Sequence, residues 1–230
     1  MKAKGTPSGL GMIGLGMVGL AAVQSANATT EITFGGFTEN NINISDIPNY
    51  GNNVTADSAD YVVSVGAAGI TGTPNIQLVW GVGYQTYTDW DGRGNVAQTD
   101  YNAAGGPDID LILAPPSGYG VLISSFDLDA YAGGGDVSVS WSIFDIEGTL
   151  ASGVWTQTDA GGRNTITTGL TVADIHPGEA VTLRLSRTSG APSYLAMANL
   201  TFDQVPEPST VALCAAGLGL GALAMRRRRK

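Results

Sequence analysis

The chain has 230 residues and a formal net charge of −9 at pH 7, which allows one domain with attached terminal segments. An acidic chain repels nucleic acid, so we expect no DNA or RNA partner. The only cysteine is Cys214, in an apolar stretch near the C-terminus, so the rest of the chain has no disulfide and no thiolate metal site.

The first 28 residues have the pattern of a secretory signal peptide. Lys2 and Lys4 precede an apolar, glycine-rich run at residues 10–23, and Ala26 and Ala28 are the small residues that signal peptidase requires. The alternative is a buried N-terminal helix, but the glycines of this segment would weaken it. We therefore predict export, with signal peptidase cutting after Ala28.

The charge of the predicted exported domain, residues 29–204, differs from that of the whole chain. The two ends hold most of the basic residues, so this domain keeps four arginines against 19 acidic residues and has a net charge of −15. Such a surface favours solubility and attracts divalent cations.

Residues 29–204 show the period-two alternation of β-strands rather than a helical repeat. In residues 136–146 the apolar positions face one way and serines the other, and in residues 120–131 the alternation places Leu122, Phe126, Leu128 and Ala130 on one face. Glycines 133–135 lie between these two segments, which predicts a hairpin.

Further strands are predicted along the same domain. Residues 181–186 and 194–203 alternate, the second with Leu200 and Phe202 inward, and residues 61–65, 75–84 and 108–113 predict three more strands. The pattern predicts an all-β fold, a two-sheet β-sandwich or jelly roll. Residues 90–106 are polar and glycine-rich, and we interpret them as a long functional loop.

Catalytic motifs are scarce. The one histidine, His176, lies in a Pro-Gly turn, and neither a nucleophile elbow nor a metalloprotease motif is present. Paired carboxylates could hydrolyse a glycosidic bond, with Asp108 and Asp110 or Asp127 and Asp129 as candidates. Solvated carboxylates are the simpler interpretation, so we expect no enzyme, with a glycoside hydrolase as the alternative.

Two kinds of ligand site fit the sequence. Oxygen ligands at Asp127 and Asp129 could hold Ca²⁺, the one cofactor that we consider. Aromatic rings could stack on sugars, and Trp90, flanked by Tyr87 and Asp89 in a polar stretch, is the best candidate for an exposed ring. We nevertheless favour the interpretation that Trp90 packs within its loop.

Residues 205–230 have three parts in sequence: a Pro-Glu-Pro segment, an apolar run at residues 211–225 and a cationic block. The first and last consist of Pro206, Glu207 and Pro208, and of Arg226, Arg227, Arg228, Arg229 and Lys230. The cationic block favours the cytoplasmic side of a membrane, and the apolar run falls short of the roughly 20 residues of a stable span. Such a segment suits a temporary anchor, and its prolines predict an extended front edge that is open to a protease.

This tripartite tail resembles the PEP-CTERM sorting signal of Gram-negative bacteria that make extracellular polysaccharide. The resemblance implies an exosortase as processing partner, transient anchoring in the inner membrane, and delivery to the cell surface or extracellular matrix. Residues 119–128, 137–141, 145–148 and 196–202 are also similar to galactose-binding-like jelly rolls. Together these features predict a non-catalytic surface or matrix protein whose β-sandwich either binds polysaccharide or Ca²⁺ or has a purely structural role. An extracellular polysaccharide hydrolase is the alternative.

Overall fold

The computed structural model describes residues 28–35, 37–46, 63–64, 76–130, 136–157, 162–187 and 194–207. Within these ranges the protein consists of twelve β-strands, three short 3₁₀ turns and one helical turn, Tyr101–Ala104. The strands form two sheets whose apolar faces pack on each other, which confirms the predicted all-β sandwich. None of the helical turns in the described part of the chain is long and apolar enough to cross a membrane.

Every strand pairing in the described residues is antiparallel. The seven-stranded sheet contains β1 (Ala28–Ile32), β2 (Val63–Ser64), β4 (Tyr84–Tyr87), β5 (Val96–Asp100), β7 (Tyr119–Ala130), β10 (Gly162–Thr167) and β12 (Tyr194–Pro206). The five-stranded sheet contains β3 (Gln77–Trp80), β6 (Asp108–Ala114), β8 (Val137–Phe144), β9 (Thr149–Gln157) and β11 (Val181–Arg187).

The order of strands shows that the predicted hairpin is wrong. The five-stranded sheet has the order β3-β6-β11-β8-β9, while β7 lies between β10 and β12 in the other sheet. Strands β7 and β8 therefore lie in different sheets and do not pair with each other. Alternation in the sequence marks a strand but not its partner, because pairing depends on long-range packing.

The core lies between the inward faces of the two sheets. Leu111, Ile143 and Leu183 of the five-stranded sheet meet Phe126 and Phe202 of the other sheet, and all five side chains are fully buried. Leu200 is buried in the same cluster, so the predicted inward face of the last strand is confirmed. Trp141, also predicted to be in the core, packs edge-on against Phe126.

The predicted inward face of β7 is correct only in its second half. Phe126, Leu128 and Ala130 point into the core, but Leu122 lies on the outer face and Ile123 takes the inward position. The reason is a β-bulge, since the pairing of β7 with β12 shifts register between Ala198 and Phe202. A bulge inserts one residue and reverses which side chains face inward.

Residues 90–106 are not the single long loop that the sequence predicts. They form a 3₁₀ turn at Trp90–Gly92, then β5, then the helical turn. Strand β5 looks too polar to be buried, yet Gln98 and Thr99 are almost fully buried. The amide of Gln98 donates to Asn41 and Gln85, and the hydroxyl of Thr99 bonds the carbonyl of Leu195, so their burial leaves these groups paired.

The outer faces of the two sheets differ in what covers them. On the seven-stranded sheet, Trp90 packs over Ala196 and Ala198, while Ile175 packs over Leu122 and Val205. The five-stranded sheet carries polar and half-exposed side chains at its outward positions. This exposed face is therefore where the fold can present side chains to a large ligand.

Candidate functional site

The outer face of the five-stranded sheet carries a row of charged and hydroxyl side chains across its centre. Asp110 of β6 lies opposite Arg184 of β11, which lies opposite Ser142 of β8. Two residues further along the strands, Asp108 lies opposite Ser186. These residues point outward because their neighbours along each strand, such as Leu111 and Leu183, are fully buried.

Arg184 and Asp110 are the centre of this row. The guanidinium donates through Nε and Nη2 to the two carboxylate oxygens of Asp110, each at 2.7 Å. Asp108 accepts a hydrogen bond of 2.6 Å from the hydroxyl of Ser186 and lies 3.8 Å from Nη1 of Arg184. The hydrogen bond to Asp110 raises the pKa of Arg184, so the guanidinium is charged at every physiological pH.

Apolar groups border the charged row. The guanidinium carbon of Arg184 lies 5.0 Å from the ring centroid of Phe144, a cation–π contact. Val79 of the edge strand β3 is 44% exposed beside Ile112 of β6. A fixed guanidinium and two carboxylates can bind hydroxyl groups, and the neighbouring apolar carbons can contact the C–H face of a sugar ring.

We define Asp108, Asp110, Phe144, Arg184 and Ser186 as the polar face. Sequence reasoning considered the two aspartates only as catalytic candidates and missed the other three. The signal was available in β11, where Arg184 occupies an outward position between Thr182 and Ser186 and is one of only four arginines in residues 29–204. What the sequence could not show is that β6 and β8 lie on either side of it.

The aromatic site considered at Trp90, Tyr87 and Asp89 does not present an exposed ring. Trp90 is 1% exposed and packs edge-on against Tyr87 at a centroid distance of 5.2 Å, so the ring is not exposed and the interpretation that it packs within its loop is confirmed. Tyr87 is half-buried, and Asp89 is exposed with a left-handed backbone, φ 58°. The loop closes on the outer face of the sheet, and this buries the indole instead of presenting it.

The two acids considered for Ca²⁺ lie side by side on the outer face of β7, where each is held by protein groups. Asp129 is fully buried and accepts hydrogen bonds of 2.7 and 2.8 Å from Nε and Nη2 of Arg93. Asp127 accepts bonds of 2.6 Å from Thr165 and from Asn199. The described residues contain no group of three or more acidic, histidine or cysteine side chains that could hold a metal ion.

The four acids considered for hydrolysis lie on opposite sides of the sandwich. Asp108 and Asp110 are on the outer face of the five-stranded sheet, whereas Asp127 and Asp129 are on the outer face of the other. The two pairs therefore do not share a cleft. Within each pair, the carboxylates bond to guanidinium, hydroxyl or amide groups.

His176 belongs to a small cluster at one end of the sandwich. Its Nδ1 lies 2.6 Å from a carboxylate oxygen of Asp145, whose side chain is fully buried, and its Nε2 lies 3.4 Å from Glu147. The hydrogen bond to Asp145 raises the pKa of His176. Burial raises the pKa of Asp145, but hydrogen bonds from His176 and two backbone amides outweigh burial and lower it overall.

The C-terminal strand continues into the predicted sorting segment. Pro206 is the last residue of β12 and lies opposite Tyr119, and the amide of Glu207 donates 2.9 Å to the carbonyl of Gly118. As far as Glu207, the predicted front edge is therefore extended, but it is paired with β7 and not open. Pro208 and the residues from Arg226 to Lys230 lie outside the described residues.

A β-sandwich that runs directly into a Pro-Glu-Pro segment, an apolar run and a cationic block defines an exported domain with a sorting tail. Residues 204–229 match the PEP-CTERM protein-sorting motif, so the chain carries this signal at the position that the sequence predicts. The motif implies export and a membrane-anchored sorting tail. None of the curated proteins matches the chain.

Several solved structures resemble the fold at low similarity. A family 11 carbohydrate-binding module from Clostridium thermocellum, in complex with a β-1,3-1,4-mixed-linked tetrasaccharide, has 13% identity and a TM-score of 0.29, over 58% of this chain and 91% of the module. A Stig cyclase from Fischerella sp. TAU has 14% identity and a TM-score of 0.35, over 79% and 99% of the two chains. An arabinose-bound α-L-arabinofuranosidase has 8% identity and a TM-score of 0.34, with only 23% of its own length covered.

Proposed function

We propose that this protein is an exported, non-catalytic component of the cell surface or extracellular matrix, and that its sandwich binds polysaccharide through the polar face. The observation that carries the proposal is the arrangement of Arg184 between Asp110 and Phe144 on an exposed sheet. An exposed array of charged, hydroxyl and aromatic groups can bind the hydroxyl groups and contact the C–H faces of a sugar chain.

The chemistry of the polar face favours a neutral polysaccharide. Its two aspartates outnumber the one arginine, and the domain around it has a net charge of −15. An anionic glycan would be repelled before it reached Arg184. Hydroxyl groups, in contrast, can accept from the guanidinium and donate to the carboxylates.

The proposed route to the surface follows from the two ends of the chain. Signal peptidase removes residues 1–28 during export, and the C-terminal segment then anchors the protein in the inner membrane until an exosortase processes it. The matched motif contains the apolar run and the cationic block, and these support anchoring after export. The cationic block favours the cytoplasmic side of the membrane, which leaves the sandwich on the other side.

A glycan array tests the binding. The full-length protein in mild detergent should bind one or more neutral polysaccharides, and binding in chelator should equal binding in Ca²⁺, because Asp127 and Asp129 are occupied by protein donors. Failure to bind any neutral polysaccharide, including that of the host, would remove the binding part of the proposal. Loss of binding in chelator would instead support the Ca²⁺ site predicted from the sequence.

The second candidate is an extracellular glycoside hydrolase. Asp108 and Asp110 support it, because they are the candidate carboxylates that lie on an exposed face. Both carboxylates are already bonded to Ser186 and Arg184, which favours a binding role over proton transfer. Release of reducing ends from a bound polysaccharide, abolished by Asp110→Asn, would support the hydrolase instead.

A further inference from the structure

The sorting motif and the folded domain overlap at the end of β12. The motif begins at residue 204, but Val205 and Pro206 are still paired with Gly120 and Tyr119 of β7. The side chain of Val205 is 4% exposed. The front of the motif is thus part of the sandwich rather than a linker that follows it.

Proline fits this strand because of its position in the ladder. The amide of Glu207 donates to Gly118, so the hydrogen-bonded positions lie on either side of Pro206, which has no N–H to offer. The carbonyl of Tyr119 points the other way and accepts 2.8 Å from the amide of Gly178. Pro206 therefore leaves no hydrogen bond of the ladder unmade, and the strand stays paired with β7 as far as Glu207.

A loop from elsewhere in the chain holds this junction in place. Ile175 packs on Leu122 and Val205 and forms a small apolar cluster with them. Gly120 makes the close approach possible, because a Cβ at this position would overlap the Cγ2 of Ile175. The loop that carries Ile175 is tied down in turn by His176 through Asp145.

We propose that the folded sandwich withholds the front of the sorting motif from its processing enzyme, which gains access only when the end of β12 separates from β7. Proteases cut chain segments that are locally unfolded, and the cleavage rate then follows the open population. The packing of Ile175 on Val205 sets that population. Only three residues separate Glu207 from the apolar run that begins at residue 211. The chain between the paired strand and the apolar run is therefore too short to give the enzyme a separate site of access.

The test uses the full-length chain in an exosortase-bearing host and follows the lifetime of the unprocessed form by pulse-chase. Ile175→Val and Ile175→Ala loosen the junction in two steps without changing a residue of the matched motif. Val172→Ala is the control, because Val172 lies in the same loop but is 49% exposed. We expect Ile175→Ala to speed processing by roughly tenfold, Ile175→Val to fall between it and the native chain, and the control to match the native chain.

A second measurement guards against simple misfolding. Hydrogen exchange on the purified chains should show faster exchange at the amides of Val205 and Glu207 in the same order as the processing rates, with the core strands still protected. Equal processing rates across the series, or slower processing in Ile175→Ala, would overturn the inference.

The inference rests on the proposed processing by an exosortase but not on glycan binding. If neither the native chain nor any variant is processed, both the processing step and this inference fail, while polysaccharide binding is still judged by the array. If all chains are processed at one rate, only the withheld junction fails.

Discussion

Asp129 and Arg93 form a bidentate ion pair on the outer face of the seven-stranded sheet. The carboxylate is fully buried, and both of its oxygens accept hydrogen bonds from the guanidinium, at 2.7 and 2.8 Å. Arg163 approaches the same carboxylate at 3.7 Å. The pair fastens the loop of residues 88–95 to β7 and so keeps Trp90 over β12.

Removing one partner of this pair should destabilise the protein strongly. Arg93→Ala leaves the buried carboxylate of Asp129 with only the longer contact to Arg163, which we expect to lower the free energy of unfolding by about 3 kcal/mol. Arg93→Lys keeps the charge but not the two parallel bonds and should cost less. Urea unfolding measures both, and equal stability of Arg93→Ala and the native chain would contradict the pairing.

Trp90 should contribute to stability and not to ligand binding. Trp90→Ala removes a fully buried indole that packs on Ala196 and Ala198, so we expect a loss of about 3–5 kcal/mol in the free energy of unfolding. Trp90→Phe keeps an aromatic ring in place and should recover part of this loss. If Trp90→Phe folds stably but no longer binds polysaccharide, the ring has the sugar-stacking role that its burial argues against.

The strand alternation gave the inward faces of β8, β11 and β12, because burial of every second residue leaves its pattern in the sequence. It failed for Leu122, where a bulge shifts the register, and for the partner of β7, which long-range packing chooses. It also failed for β5, whose buried Gln98 is polar and is stabilised by side chains distant in sequence. Only the two aspartates of the polar face could be predicted from the sequence. The other residues join them because β11 pairs with β6 and β8, which are distant from each other in the sequence.

Gly153 is a position where the fold requires the absence of a side chain. A Cβ there would lie 2.7 Å from Cζ2 of Trp141, a rigid ring that is held against Phe126. We expect Gly153→Ala to lower the free energy of unfolding by about 1–3 kcal/mol, as for an overpacked core. Gly106→Ala is the matched control, because a Cβ at that site has no atom within 4 Å other than those of the residue itself and its two chain neighbours. Equal unfolding midpoints for the two variants would show that Trp141 can move aside.

The contact between His176 and Asp145 should make stability depend on pH in a defined window. The pKa of His176 is raised, so its contribution is fully present below the ordinary histidine pKa of about 6.5 and is lost as the pH rises through the folded-state pKa. The pKa of Asp145 is lowered, so its contribution is present above the ordinary aspartate pKa of about 3.9 and is lost as the pH falls through the folded-state pKa.

The melting temperature of His176→Gln measures this effect against the native chain. We expect the variant to melt lower by the largest margin between about pH 4 and pH 6.5, and the margin to shrink at more alkaline pH. A margin that stays constant from acid to alkaline pH would mean that the ring contributes by packing and not by charge.

Titration calorimetry on a matched pair of arginine variants measures whether the polar face binds polysaccharide. Arg184→Ala removes the guanidinium that joins Asp110 and Phe144, whereas Arg187→Ala removes the same charge from the end of the same strand, where it lies over Tyr101. The exposed Arg184 pair contributes only about 1 kcal/mol or less to stability, so both variants should fold. We predict that Arg184→Ala weakens binding of the polysaccharide found by the array by at least about tenfold while Arg187→Ala binds as the native chain does. Equal affinity of the native chain and Arg184→Ala would contradict binding through the polar face.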